Sequence, residues 1–295
     1  MNLLNEKVFA GVVFGIALLS TGLAGCHKTG GVESNADSET GSDTASDALP
    51  DTSFETDTEP WTGSTDSSSD SDTGSDTDAD SDSSSSPETC FEGDALIETE
   101  ADALALQGIP CINGSLTIEA ETLTTLNALE ALHNISGQLV VEGCEELTNL
   151  SGLDNLLSVG DQLYIARNDK LSSLEGLNSL TTIGSDLSFE SNDSLTDLSA
   201  LHNLTAVNGD LTIYSNKMLT TMTGLHNINH VAENLLIQLN DELSTHSGLE
   251  ALQTVDGIFI TGGQQLESLE GLNALTSVGA LYLGSTENLT DLSGL

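Results

Sequence analysis

The chain has 295 residues, with 47 aspartates and glutamates against five lysines and arginines, and a formal net charge of −42. That balance excludes a nucleic-acid binder, because neutralising phosphates requires clusters of Lys and Arg. Four cysteines and 37% hydrophobic residues leave room for a packed domain of modest size.

In chain order, the first element is "MNLLNEKVFAGVVFGIALLSTGLAGC", polar at Lys7, apolar from Val8 to Leu19 and ending in small residues. Crossing a bilayer takes about 20 continuous apolar residues. The run is shorter, so residues 1–25 are expected to be a secretory signal and not a spanning helix. Its end, Leu23-Ala24-Gly25-Cys26, resembles a bacterial lipobox. The resemblance implies that Cys26 is the lipidated first residue of a mature lipoprotein, carrying palmitate-type acyl chains. Several chains on one residue anchor firmly where one is marginal. His27, in place of Asp, leans toward outer-membrane sorting.

Residues 26–89 hold the lipidated Cys and then a stretch made almost wholly of Asp, Ser, Thr, Glu and Gly, as in "STDSSSDSDTGSDTDADSDSSSS". With little apolar surface to bury, such a segment cannot offset its ordering entropy and is expected to be a disordered tether. About 60 residues of flexible coil reach about 45 Å, and carboxylate repulsion extends them further. Asp76, Asp78, Asp80 and Asp82 alternate, but Ser81 and Pro87 stand where a calcium loop needs Gly and Glu. They are read as solvated charge.

From Cys90 to Leu295 the chain repeats. The triplet L-x-I recurs at Leu116/Ile118, Leu139/Val141, Leu163/Ile165, Leu187/Phe189, Leu211/Ile213, Leu235/Ile237, Ile258/Ile260 and Leu281/Leu283, in steps of 23 or 24 residues. A fixed period of this length is the mark of a solenoid. In one coil, Leu163 and Ile165 alternate as a strand with one buried face requires, and Leu171, Leu174, Leu177 and Leu180 follow every third residue. Gly176 and Gly184 fall at expected corners. One coil cannot bury this face; stacked coils can, with the triplets pairing in a parallel sheet at about 4.8 Å. Asn168, Asn192, Asn216 and Asn240 recur where their side chains could satisfy turn amides as a ladder. The last coil stops at "LTDLSGL", so the array is expected to be incomplete at its C-terminal end.

The pattern G-x-L-x-I, then N-x-x-L-x-x-L-x-G-L-x-x-L-x-x-V, with "CINGSLTI" at its start, resembles the receptor L domain. That domain is found in insulin and EGF receptor ectodomains and in bacterial surface lipoproteins. The resemblance implies a mainly β, right-handed leucine-rich solenoid over residues 90–295. It also implies that Cys90 and Cys111 close a cap through a disulfide. Cys144 stands one coil before Asn168 in the same slot and is expected to be a buried structural thiol.

The residue between the two inward strand positions must point outward, which assigns a candidate binding face to Val140, Tyr164, Leu236, Phe259 and Tyr282, beside Thr117, Ser188 and Thr212. Strands favour such residue types on any face, so the strip also has a purely structural reading. Arg167, Lys170 and Lys217 are expected to bridge to local acids. His202 and His226 share a column with Glu250, a pattern that a turn habit explains as well as a metal does. His246 replaces a core Leu and is expected to be hydrogen-bonded or exposed at a corner.

No nucleophile elbow, zinc-protease motif or phosphate loop is present, so the chain is read as a non-enzyme without cofactor or metal. The expected function is non-catalytic binding or adhesion, to an extracellular protein or glycan, by a lipoprotein held to the membrane through Cys26. Its expected place is the cell envelope, at the outer membrane or cell surface. A passive envelope spacer, or the non-catalytic part of a longer enzyme, are the alternatives.

Overall fold

The structure, a computed structural model, describes residues 89–295. The expected signal segment, Cys26 and the Asp-rich stretch lie outside the described residues. Successive coils each add one short strand to a long parallel sheet. Its strands are Ala95–Ile97, Leu116–Ile118, Leu139–Glu142, Leu163–Ala166, Leu187–Glu190, Leu211–Tyr214, Asn234–Gln238, Thr254–Thr261 and Ser277–Gly284. The register follows the repeat without slippage: Leu163 pairs with Leu139 and Leu187, and Ile165 with Val141 and Phe189. A one-residue slip would turn every inward Leu to solvent, so the buried face itself holds this register.

A second set of short pairings runs along another side of the coil. Phe91–Glu92, Cys111–Asn113, Asn134–Ile135, Ser158–Val159 and Thr182–Ile183 form a five-stranded parallel sheet. Ala206–Val207 and His230–Val231 pair onward to Thr254–Thr261, an eight-residue strand that also pairs with Asn234–Gln238 and so joins both lines. Between the sheets lies the leucine core, with Leu163, Ile165, Leu171, Leu174, Leu177 and Leu180 all essentially inaccessible. Burying one such side chain stabilises by about 1.5–3 kcal/mol, and only a neighbouring coil can supply that burial. In the last described coil Val278, Leu281, Leu292 and Leu295 are exposed.

The corners explain the recurring "GL". Gly176 has φ +112°, and a Cβ there would overlap the Leu150 carbonyl of the coil below. Only glycine meets both demands. Two coils carry Ala in this slot, in Asn127-Ala128-Leu129 and Ser199-Ala200-Leu201. There the chain takes a right-handed 3-10 turn over Asn127–Leu129 and Ser199–Leu201 instead.

At the N-terminal end the Cys90–Cys111 disulfide is formed, across a sequence separation of 21 residues. The same end carries a helix the repeat did not announce, α1, Glu100–Ala105. Thr99 and Asp102 cap it reciprocally, the Thr99 amide donating to Asp102 Oδ2 at 2.9 Å and the Asp102 amide to Thr99 Oγ1 at 3.3 Å. The Thr99 hydroxyl is the main cause that holds the Asp102 carboxyl below its ordinary range. A chain-entropy argument gives about 3 kcal/mol for a disulfide closing a loop of this size. The paired change Cys90→Ser and Cys111→Ser is therefore expected to lower stability by about that much. Hydrogen exchange checks it: protection should fall in residues 90–118 and hold from 163 onward.

A candidate binding face on the long sheet

Because side chains alternate across a strand, each coil presents two outward positions on the long sheet, before and after its second inward residue. The first line runs Thr117, Val140, Tyr164, Ser188, Thr212, Leu236, Phe259 and Tyr282, each in register with the next. The second runs Glu142, Ala166, Glu190, Tyr214, Gln238 and Thr261. All three tyrosines of the chain, Tyr164, Tyr214 and Tyr282, thus stand on one face, with Phe259 among them. The Phe259 and Tyr282 rings lie with centroids 6.4 Å apart, tilted by 32°.

The L-x-I triplet locates the first line but not the second. Tyr214 and Glu190 lie just past the triplet's second inward residue, and the strand does not end there. It runs one residue further, as in Leu187–Glu190 and Leu211–Tyr214. Carrying the alternation by one place would have found both. Leu236 needs a correction: it lies in the outward line, yet only 7% of it is accessible, and Ser188 is covered to a similar degree. Flanked in register by Thr212 and Phe259, Leu236 forms floor and not contact surface.

Polar groups organise the middle of this face. Tyr164 donates its hydroxyl to Glu190 Oε2 at 3.3 Å and Ser188 donates to Glu190 Oε1 at 3.0 Å. Burial first, and then the Glu190 charge, push the Tyr164 phenol well above its ordinary range. The hydroxyl stays a donor at every ordinary pH.

The cations of the array are each committed to an acid other than Glu190. Arg167 pairs with Glu142, Lys170 with Glu146 and Lys217 with Asp193, each an acid of the preceding coil. The Asp193 carboxylate raises the Lys217 ammonium. The three cations are exposed and Glu142 and Asp193 are half-buried, so the pairs stay open to solvent on the cation side and contribute little to stability. His202 is half-buried and turns its Nδ1 to the Ser199 carbonyl at 3.1 Å, and Glu250 accepts from the Gly248 amide at 2.9 Å. Among the described residues no three His, Cys, Asp or Glu gather closely enough to hold a metal.

Two further residues are placed by the stacking. Cys144 is a free, buried thiol whose Sγ faces the Ile118 carbonyl at 3.5 Å, and burial pushes it up from its ordinary range. That is a structural cysteine, not a reactive one. His246 corrects the expectation made for it: it is neither hydrogen-bonded nor at an exposed corner. The three-residue leucine spacing carries it fully inside, and neither ring nitrogen has a hydrogen-bond partner.

Residues 110–200 match the sequence model of the family described as Receptor L domain. Comparison with curated proteins and with solved structures gives no match.

Proposed function

We propose that a receptor-L-type solenoid with its tyrosines gathered on one sheet face is a non-catalytic binding protein of the cell envelope. Its ligand in this reading is an extracellular protein. The observation that carries the proposal is the concentration of Tyr164, Tyr214, Phe259 and Tyr282 on the long sheet, in a chain only 3% aromatic. Tyrosine supplies large contact area, a polar tip and little conformational entropy to lose, which is why it dominates recognition surfaces. Solenoid faces offer extended surface more readily than deep clefts, which suits a protein partner and not catalysis. The lipid on Cys26 would fix position, the acidic stretch after it would set reach, and the sheet would present the side chains.

The test has two arms, both on the full chain. On whole cells, external protease is expected to remove the protein, and Cys26→Ser is expected to release it to the medium. Protection until the cells are opened would remove the surface role. In vitro, a panel of immobilised extracellular proteins and glycans is probed with wild type and with Tyr164→Ser/Phe259→Ser/Tyr282→Ser. Binding to protein should weaken at least tenfold in the triple variant. If wild type and variant bind alike, the face is not the binding surface and the spacer reading replaces it.

A further inference from the structure

We infer that the partner brings an arginine side chain onto Glu190, between Tyr164 and Tyr214. The inference rests on the sheet face being the binding surface and names the chemistry that face selects. Where the second outward line is paired in register it holds two carboxylates, Glu142 and Glu190, with Glu119 following Ile118 just beyond that pairing. Glu142 is neutralised by Arg167, while Glu190 meets only the neutral hydroxyls of Ser188 and Tyr164. An ionised carboxylate offers about four lone-pair directions, so two hydroxyl donors leave acceptor capacity pointing outward. The same two bonds fix the rotamer, so the acceptor is oriented before anything arrives.

The chain's own cations do not fill this place. The three among the described residues are each paired with another acid, and Arg167, whose coil lies between those of Glu142 and Glu190, turns to Glu142. Among the described residues no cation is left to meet Glu190, so in this reading the charge comes from a partner. What surrounds Glu190 decides which cation fits. Tyr214 is its direct neighbour in register on the following coil, and Tyr164 lies diagonally across on the preceding one. A carboxylate beside aromatic rings suits a planar guanidinium, which forks onto the two oxygens and stacks on a ring at once. An ammonium, a point charge, does only part of this.

The probe is the peptide acetyl-Gly-Arg-Gly-amide, with its lysine counterpart, titrated against the full chain. Three tyrosines give three sets of ring signals by NMR, assigned through single Tyr→Phe variants. The Tyr164 and Tyr214 signals are expected to move and those of Tyr282 to stay. Glu190→Gln, which keeps the shape of the side chain, should weaken the arginine peptide at least fivefold. Glu267→Gln, an exposed acid elsewhere, should change it by less than twofold. Equal movement of all three rings, equal binding by Glu190→Gln, or a lysine peptide as good as arginine would each overturn the inference, the first two reducing it to general attraction toward an acidic chain. The two readings fail separately. A protein ligand lost in the Tyr164/Phe259/Tyr282 variant but held by Glu190→Gln leaves the face standing and removes the arginine, and a ligand held by both variants removes the face as well.

Discussion

Asn192→Ala is expected to destabilise the solenoid by about 3–5 kcal/mol, more than any single leucine-to-valine change in the same coil. The reason lies in what one asparagine does between coils. Its Oδ1 accepts from the Asn168 amide at 3.2 Å and from Asn168 Nδ2 at 3.1 Å, while its own Nδ2 donates to the Ile165 carbonyl at 2.9 Å. Asn216 repeats this toward Asn192 and Phe189, and Asn240 toward Asn216 and Ile213. All four asparagines are buried. Alanine orphans at least the Asn168 amide and the Ile165 carbonyl out of reach of water, at about 1–3 kcal/mol each, and leaves a void besides.

Cysteine should cost less. Cys144 opens this ladder with its amide on Asn168 Oδ1 at 2.9 Å and its thiol facing the carbonyl of Ile118, so a thiol can replace the donor but not the acceptor. Urea unfolding of wild type, Asn192→Ala and Asn192→Cys measures the order, and hydrogen exchange should show the loss centred on residues 163–216. A cost below about 1 kcal/mol for alanine would mean that the stacked leucines alone hold the coils in register.

The ladder was legible in the sequence because a buried polar group at a fixed period has few structural uses. The triplets were legible for a related reason: stacking forces every coil to place its inward residues alike, so Leu163, Leu187 and Leu211 announce one another. What the period does not cover was not legible. The first coil carries Ala95 and Ile97 at 21 residues before Leu116, out of step, and its small alanine hides the strand. The helix beside it could have been found from Thr99 and Asp102, a capping pair that owes nothing to the repeat. On the candidate face, the place between the two inward residues holds Tyr164 and Tyr282 but not Tyr214 or Glu190. Nor can an alternation rule show that Leu236 is covered, since coverage depends on the size of the neighbours and not on direction. The polarity of His246 suggests a corner or a hydrogen bond, whereas the backbone spacing of its slot puts it inside.

That histidine sets the second large effect. His246 occupies the position filled by Leu174, Leu198, Met222 and Leu269 in other coils, its amide bonded to the Glu270 carbonyl at 3.1 Å. A partly open hollow of about 10 Å³, which His246 itself helps to line, is otherwise bounded by residues such as Ile237, Leu243, Ile260, Thr261 and Leu266, none of which titrates. Burial lowers its pKa from 6.5 to about 4. Above pH 6.5 both folded and unfolded chains hold it neutral and proton binding costs nothing. Between pH 6.5 and 4 the unfolded chain takes a proton that the folded chain refuses, so stability falls as pH falls, by about 3 kcal/mol once pH 4 is reached.

His246→Leu removes both penalties. At pH 7 it should stabilise by about 1–3 kcal/mol, because two unpaired ring nitrogens leave the core and a side chain suited to the column replaces them. On acidification the gap between variant and wild type should widen by about a further 3 kcal/mol toward pH 4. The many carboxylates titrate in the same range, but they are common to both chains and cancel in the difference. Urea unfolding of the pair at pH 7, 5.5 and 4 measures the gap. A gap that stays constant with pH would mean that His246 takes up its proton in the folded chain as readily as in the unfolded one, and the tight stacking of residues 240–270 would then be wrong.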